Sequence, residues 1–329
     1  MTKVSTLRTE KAHSETNVYP FILSMSNVTM SGPPIYKQVR PDIFPFISDQ
    51  NLALAAPVIG YWVFSSMFHI IDVYELAEKY RIHPPEEIAS RNRAPLSTVI
   101  RAVILQHVVQ TTLGVVLNHY EPPQYTGHEA YNIWELTQKL KISTEFATFI
   151  YNWAIPAIKI LMAFLVMDTW EYTLHRIMHI NKFLYKHLHS VHHRLYVPYA
   201  YGALYNSLLE GFLMDTVGAA IGYFSLGLTT RESIIFYLFS TLKTVDDHCG
   251  YEFPFDPFQL LFPNNAAYHD IHHQSWGIKT NFSQPFFVHW DELFKTKYKG
   301  TREYILKQRQ IRLERHANRL AGLEVKKDK

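Results

Sequence analysis

Histidine is the residue whose spacing stands out in this sequence, because eight of its 18 copies fall into three short groups. The members of a group are adjacent or lie three or four positions apart, a spacing that places side chains on one face of a helix. We therefore predict that each group directs its imidazoles toward a common point. In chain order the groups are His175 and His179, then His189, His192 and His193, and then His269, His272 and His273.

Imidazoles gathered in this way predict metal binding. Protonated rings at this density would repel one another, and neutral rings would leave polar nitrogens unsatisfied. Eight ligands exceed the four that one zinc ion takes, so we predict two metal ions. Imidazole suits zinc, copper, nickel and iron alike, so the ligands alone do not identify the metal. The zinc-protease pattern H-E-x-x-H and the Glu-x-x-His pairs of soluble di-iron bundles are both absent from the sequence.

Polar residues near these groups are candidates to hydrogen-bond the second nitrogen of a ligating histidine. Asp168 and Glu171 precede His175 at helical offsets; the alternative for both is helix capping or a membrane-interface position. His248 is a ninth candidate ligand, and Asp270 inside the third group is expected to orient a neighbouring histidine. Further candidates around the site are Asp247, Glu252 and Asn265.

The overall composition excludes several classes of protein. The 329 residues are 47% hydrophobic and 15% aromatic, which excludes a disordered chain. A formal net charge of +3 is too small to predict nucleic-acid binding. The single cysteine, Cys249, excludes an internal disulfide framework and a cysteine-based zinc site. We expect the isolated histidines to be ordinary core or surface residues, namely His13, His69, His83, His107, His119, His128, His289 and His316.

Three internal stretches approach the length of a membrane-spanning helix, which is about 20 residues. They are residues 52–73, 98–117 and 146–167. Arg101 and Lys159 interrupt the second and third, so large buried-core helices are the competing interpretation. A fourth region, residues 207–242, is predicted to be an apolar helical hairpin whose second limb is too short to span alone, and we expect it to be re-entrant.

The distribution of basic residues predicts the orientation of these spans. Four basic residues lie between the first two spans, whereas only Lys139 and Lys141 lie between the second and third. Positively charged loops favour the cytosol, so the third span delivers every histidine group to the cytosolic face. Lys37 and Arg40, beside the first span, argue against this orientation. The four basic residues are Lys79, Arg81, Arg91 and Arg93.

These features predict an all-α fold: a polytopic membrane helical bundle with a cytosolic, histidine-rich helical cap that holds a dinuclear metal site. We divide the chain into a polar amino-terminal segment (1–45), a membrane-embedded domain with its cap (46–294) and a basic, helical carboxy-terminal tail (295–329). Lys326 and Lys327 resemble a dilysine retrieval signal of the endoplasmic reticulum, and a solvated basic tail is the alternative. Asn27 begins a glycosylation sequon, a triplet that is common by chance.

Four motifs resemble the fatty acid hydroxylase and sterol desaturase superfamily of integral-membrane di-iron oxygenases, and in particular its sphingolipid C4-hydroxylase branch. The first motif, D-T-W-E-Y-T-L-H-R-I-M-H, begins at Asp168, and H-S-V-H-H-R-L-Y-V-P-Y-A-Y-G begins at His189. They are followed by T-V-D-D-H-C-G-Y at Thr244 and by F-P-N-N-A-A-Y-H-D-I-H-H-Q-S-W-G at Phe262. The resemblance extends over residues 168–294.

The resemblance implies two iron ions, for which zinc can substitute in purified samples, and O₂ as oxidant. It implies hydroxylation at C4 of a sphingoid base or dihydroceramide. Glu210 and Asp215 are candidates to bind the substrate's amine and hydroxyls, because ionisable groups in membrane segments are often functional. A water held by Asn265 or Glu252 is expected to take the place of a tenth ligand. The implied metal ligands are His175, His179, His189, His192, His193, His248, His269, His272 and His273.

The electrons must come from another protein, because neither a G-x-G-x-x-G dinucleotide motif nor an H-P-G-G haem motif occurs. The resemblance implies NADH or NADPH as their source, delivered through a separate cytochrome b5 and its reductase. An acidic donor would meet basic groups. The alternative is that these basic residues set the orientation of the protein in the membrane or bind anionic lipid. The groups are Lys182, Lys186, Arg194, Lys295, Lys297 and Lys299.

Two alternatives to this function remain open. The same metal site could serve another lipid reaction of the superfamily, such as sterol C4-methyl oxidation or acyl desaturation, since substrate placement decides the outcome. A protein of a different class, a non-enzymatic zinc-binding membrane protein, would use the same histidines for structure or transport. We expect the endoplasmic reticulum membrane as the location, with the histidine groups and the carboxy terminus in the cytosol.

Overall fold

The computed structural model describes residues 32–322, so Asn27, Lys326 and Lys327 lie outside the described residues. The regular structure of this part of the chain is mainly helical, with two short strands, β1 (Gln38–Val39) and β2 (Tyr125–Thr126), which pair antiparallel. The helices are α1 (Asp49–Val73), α2 (Pro85–Arg91), α3 (Leu96–Asn118), α4 (Glu129–Leu140), α5 (Thr144–Phe149), α6 (Ile155–Ile180), α7 (Lys182–Leu184), α8 (Leu208–Gly211), α9 (Gly218–Leu226), α10 (Thr230–Asp247), α11 (Pro257–Leu261), α12 (Ala266–His273), α13 (His289–Leu293) and α14 (Thr301–Leu320).

Three helical segments are long and apolar enough to cross a membrane, which confirms the predicted spans. They are α1, α3 and the continuous segment Thr144–Ile180, in which a π-helical turn at Ile150–Ala154 joins α5 to α6. Ser48 and Ser143 cap the first and third by accepting hydrogen bonds from backbone N–H groups of the first turn. Their large apolar side chains face outward, as expected where the surrounding solvent is lipid: Val63, Ile70, Val108 and Ile158 are all exposed.

The predicted hairpin forms from two limbs that lie against the spans. In its first limb, α8 continues through a π-helical segment, Phe212–Val217, into α9. Gly227 turns the chain with a φ of +56°, a conformation that favours glycine, and Thr229 and Glu232 then form a capping box at the start of α10. The second limb, α10, packs along α1 and continues to Asp247, so it delivers His248 beside the other histidines.

The histidine groups and the linker between the first two spans lie at the same end of the bundle. The backbone N–H of Arg93 donates to the carbonyl of Arg194 at 2.7 Å, and that of Ile82 donates to Gly250 at 2.9 Å. The strand pair lies at the opposite end, where the chain leaves α3. The histidine-rich cap is therefore built on one face of the membrane bundle.

The carboxy-terminal helix α14, predicted to be helical, packs against this cap. Arg312 is buried and donates to Glu252 at 2.9 Å, and Arg315 donates to the carbonyl of Arg81 at 3.0 Å. Tyr304 donates from its hydroxyl to Asp270 at 2.8 Å. The described part of the basic tail thus packs against the cap, and most of its other basic side chains are exposed to solvent.

Candidate metal centre

All nine predicted ligand histidines are buried, and their ring nitrogens form two groups. The first, which we call the five-histidine group, takes residues from α6, from the chain between α7 and residue 194, and from α12. Its Nε2 atoms lie 3.0 Å apart for His175 and His189, 3.2 Å for His179 and His193, and 3.1 Å for His193 and His272. Its members are His175, His179, His189, His193 and His272.

The second, which we call the four-histidine group, contains His192, His248, His269 and His273. The Nε2 atom of His269 lies 3.0 Å from that of His248 and 3.0 Å from that of His273. The Nε2 atoms of His248 and His192 are 3.4 Å apart. His248, at the end of α10, comes from outside the three histidine-rich motifs and completes this group.

The prediction that each motif serves one common point was wrong for the two H-x-x-H-H motifs. His192 and His193 are adjacent in the chain but belong to different groups. The same is true of His272 and His273. Successive residues of a helix point about 100° apart, since 3.6 residues make one turn. One motif can therefore place one imidazole in each group.

Backbone carbonyls hold the second nitrogens of five of these rings. The Nδ1–H groups of His175 and His272 donate to the carbonyls of Phe282 and Thr280, both at 2.8 Å. His192 Nδ1 lies 3.2 Å from the carbonyl of Tyr205. The remaining two pairs, at 2.8 Å each, are His248 with Thr244 and His273 with Leu195.

These hydrogen bonds determine the tautomer. A carbonyl oxygen only accepts, so each Nδ1 carries the proton and each neutral ring presents a lone pair at Nε2. Burial lowers the pKa of His192 to about 4 and that of His248 to about 3, so both rings are neutral at physiological pH. Their two lone pairs face each other across 3.4 Å with no proton between them. A bound cation would relieve this repulsion, and neutral imidazole nitrogens are ligands for zinc, copper, nickel or iron.

His189 has a carboxylate partner instead of a carbonyl. Its Nδ1 lies in hydrogen-bond contact with Glu210, which begins the hairpin as the third residue of a capping box on Ser207. Glu210, predicted as a substrate-binding residue, is thus placed to orient a ring of the five-histidine group. Carboxylates in this position strengthen a histidine as a ligand.

Asp168 and Glu171 lie near the centre, but neither contacts a histidine Nδ1 as predicted. Asp168 accepts the backbone N–H groups of Phe286 and Phe287, at 3.2 and 2.7 Å, and so anchors the loop after α12. Glu171 faces a chamber beside the histidines. The physical reason is that chain segments remote from α6 supply the carbonyls that these rings use.

The other predicted supporting residues have different partners. Asp247 contacts the buried ammonium of Lys243, and Asn265 caps α12 by accepting from the N–H of Tyr268 at 3.0 Å. Asp270 points away from the metal groups, toward His83 and Tyr304. Glu252 pairs with Arg312 on α14, outside both groups, and so is not placed to hold a water as a tenth ligand.

His83 was expected to be an ordinary histidine, but it links the first linker to α12, which carries three of the candidate metal ligands. It lies 3.0 Å from Glu87 and 2.9 Å from Asp270. Although burial alone would lower its pKa, Asp270 and Glu87 raise it to about 9, so the ring is protonated at neutral pH. No spacing within the sequence indicates this contact, because 187 residues separate His83 from Asp270.

One cavity adjoins the five-histidine and four-histidine groups, and a second cavity adjoins the first. The first, which we call the metal-side chamber, is lined by four of the histidines and by polar side chains. The histidines are His189, His192, His248 and His269, and the polar residues include Glu171, Asn206, Glu210, Asp215, Thr244, Asp247 and Gln284. The second, which we call the apolar cavity, has a volume of about 470 Å³ and lies among α1, α3, α9 and α10. Asp215 and Thr244 line both.

The sequence of this chain is similar to those of known proteins. Residues 160–296 match the model of the family described as fatty acid hydroxylase. The chain is 53% identical over 298 residues to sphingolipid C4-hydroxylase of Saccharomyces cerevisiae, an alignment that covers 90% of this chain and 85% of that protein. No solved structure matches.

Two further relatives are similar over three quarters of the chain. Sphingolipid C4-hydroxylase of Schizosaccharomyces pombe is 46% identical over 256 residues, covering 75% of this chain and 87% of that protein. Sphinganine C4-monooxygenase 2 of Arabidopsis thaliana is 44% identical over 250 residues, covering 76% and 88%. These matches confirm the resemblance seen in the sequence motifs, and the chain belongs to the fatty acid hydroxylase family.

Proposed function

We propose that this protein is an O₂-dependent di-iron monooxygenase that hydroxylates a sphingoid base or dihydroceramide at C4. The observation that carries the proposal is the pair of buried imidazole groups, whose ring nitrogens come together at two points. The names of the three relatives support the choice of substrate and of carbon atom.

The five-histidine group would hold one iron and the four-histidine group the other. When bound, the pair of irons supplies activation of O₂ and removal of hydrogen from an unactivated carbon. One oxygen atom enters the C4–H bond, and the other leaves as water after two electrons and two protons are supplied. Iron is preferred to zinc here because this reaction requires a metal that changes its oxidation state, which zinc does not.

The protein's own contribution to this reaction is to hold the rings in place. Carbonyl partners on five Nδ1–H groups, and Glu210 at His189, hold the rings in one orientation. Asp168 secures the loop that follows Phe282, whose carbonyl holds His175. The metal-side chamber is enclosed by these elements, which limits the water that can reach the reacting carbon.

The electrons would come from NADH or NADPH through a separate cytochrome b5 and its reductase. Lys182, Lys186 and Arg194 are exposed on the cap near the histidine groups and are candidate contacts for such an acidic donor. We further propose that the cap faces the cytosol from the endoplasmic reticulum membrane. Support for this orientation comes from the basic linker that lies at the same end as the histidines.

The test is expression of the full chain in cells that lack 4-hydroxylated sphingolipids. The wild-type protein should restore 4-hydroxylated long-chain bases, and His192→Ala should abolish them while the protein remains in the membrane. His187→Ala, an exposed histidine between two motifs, is the matched control and should retain the product. Normal product from His192→Ala would reject the site.

Two further measurements separate the alternatives. Accumulation of sterol intermediates with unchanged sphingoid bases in a strain lacking the protein would support a sterol oxidase instead. Zinc alone in protein from iron-rich medium, with no O₂ consumption, would support a non-enzymatic zinc-binding protein.

A further inference from the structure

The metal-side chamber contains four buried carboxyl groups, and only two of them have a basic partner in the part of the chain that the structure describes. Of its four carboxylates, Glu210 contacts His189 and Asp247 contacts Lys243. The other two, Glu171 and Asp215, have only neutral partners among the side chains that the structure describes: Gln284 for Glu171, and Gln106 at 2.6 Å for Asp215. Buried carboxylates without a cation are costly, so the chamber is suited to a positively charged ligand.

A second feature shows the same deficit. Asp247 accepts the Lys243 ammonium through Oδ1, but its Oδ2 is buried and has no hydrogen-bond partner among the described residues. Asp247 is only 2% exposed and lines the same chamber. Lys243 also donates to the carbonyl of Asn264 at 3.1 Å, and it makes no hydrogen bond to Glu171 or Asp215 among the contacts of the described residues. A ligand with several N–H donors could satisfy these oxygens.

The apolar cavity indicates what the uncharged part of the ligand is like. At one end it shares Asp215 and Thr244 with the metal-side chamber. At the other end it reaches Gln50 at the start of α1 and Asn118 at the end of α3, so it follows the length of the spans. Its volume of about 470 Å³ lies within the range of ligand cavities, and its wall is mainly apolar. An aliphatic chain fits this space.

We infer that the site binds a long-chain primary amine, with its ammonium group between Glu171 and Asp215 and its aliphatic chain in the apolar cavity. This inference rests on the proposed function, in which the reacting C4 of a sphingoid base is two carbons from the amine. The carboxylates lie in the chamber that the metal-binding rings line, as that short separation requires. The free sphingoid base is therefore the preferred substrate, since N-acylation removes the charge and adds a second chain.

The competing role for these carboxylates is to balance the charge of the two metal ions. Asp215 argues against it as the sole role, because Asp215 also borders the apolar cavity, which none of the nine candidate metal ligands lines. Equilibrium binding and metal content measured on the same sample distinguish the two roles.

The experiment uses the full-length, iron-loaded protein in lipid nanodiscs, without O₂ or reductant so that no turnover occurs. Radiolabelled sphinganine is displaced by sphinganine or by N-acetylsphinganine, and iron is measured in parallel. Asp215→Asn and Glu171→Gln should each weaken sphinganine binding by about 30-fold or more, the usual effect of removing one partner of a buried charge pair. Binding of N-acetylsphinganine should change by much less, and Asp215→Glu should recover part of the affinity for sphinganine.

Glu129→Gln, which changes a carboxylate at the opposite end of the spans, is the control and should keep the wild-type ratio of the two affinities. Equal losses for both ligands, no loss for either, or loss of iron with sphinganine affinity retained would each overturn the inference. The proposed function fails separately: it is rejected if the wild-type protein, supplied with electrons and O₂, hydroxylates neither ligand at C4.

Discussion

His272 and His273 are neighbours in the chain, but the Nε2 of His272 lies 3.1 Å from His193 in one imidazole group, whereas that of His273 lies 3.0 Å from His269 in the other. The carbonyls that orient them are also different, Thr280 for His272 and Leu195 for His273. One turn of α12 therefore serves both candidate metal positions.

This division predicts how double substitutions affect metal content. His269→Ala with His273→Ala removes two ligands from the four-histidine group, and we expect about one of two irons to remain. His272→Ala with His273→Ala removes one ligand from each group, so both irons should be bound more weakly and less than one should remain after dialysis. Metal analysis of the purified proteins checks this. Equal iron content in the two double variants would contradict the division.

Glu210→Gln tests the carboxylate partner of His189. A neutral amide is a weaker acceptor for Nδ1–H, and loss of such a partner typically lowers metal affinity by about 10- to 100-fold. Competition with a calibrated chelator measures the change. Glu145→Gln, an exposed carboxylate in the first turn of α5, should bind iron like the wild type. An unchanged affinity in Glu210→Gln would show that the contact does not tune the ligand.

Asp168→Asn tests the anchor of the loop after α12. The amide has a single oxygen, so it can accept from only one of the N–H groups of Phe286 and Phe287 and turns its own NH2 toward the other. A buried donor left without a partner costs about 1–3 kcal/mol, so the free energy of unfolding should fall by a similar amount. Denaturation in mixed micelles measures it. If the loss were smaller than that in Glu145→Gln, the anchor would have no structural importance.

His83→Gln tests the protonated bridge between the linker and α12. The pKa of His83 is about 9 in the folded protein, against an ordinary value of 6.5 for histidine. The raised pKa means that this stabilisation is complete below pH 6.5 and is lost as pH rises through about 9. Because one pKa unit corresponds to about 1.4 kcal/mol, the loss amounts to a few kcal/mol.

The measurement for this prediction is thermal unfolding of both proteins between pH 6 and pH 10. The wild type should lose stability over this interval, whereas His83→Gln should start lower and show a flatter profile. Parallel profiles would mean that another group causes the alkaline loss.

The features that could be predicted from the sequence are those that depend on the spacing of residues within one segment. The spacing of the histidine motifs identified eight of the nine candidate ligands, and the lengths of apolar stretches identified three spans and the hairpin. Both signals arise within a single helix, where the period of 3.6 residues relates neighbours directly. The helical character of the tail was visible for the same reason.

The division of the histidines into groups of five and four, the contact of Glu210 with His189, and the bridge from His83 to Asp270 came only from the tertiary structure. Asp168 and Glu171 illustrate the cause. Both lie one or two turns before His175 in α6, but the carbonyl that holds His175 belongs to Phe282, 107 residues away. A ring nitrogen forms a hydrogen bond with whichever group packing brings within about 3 Å. The spacing of residues within one segment does not predict how that segment packs against a distant one.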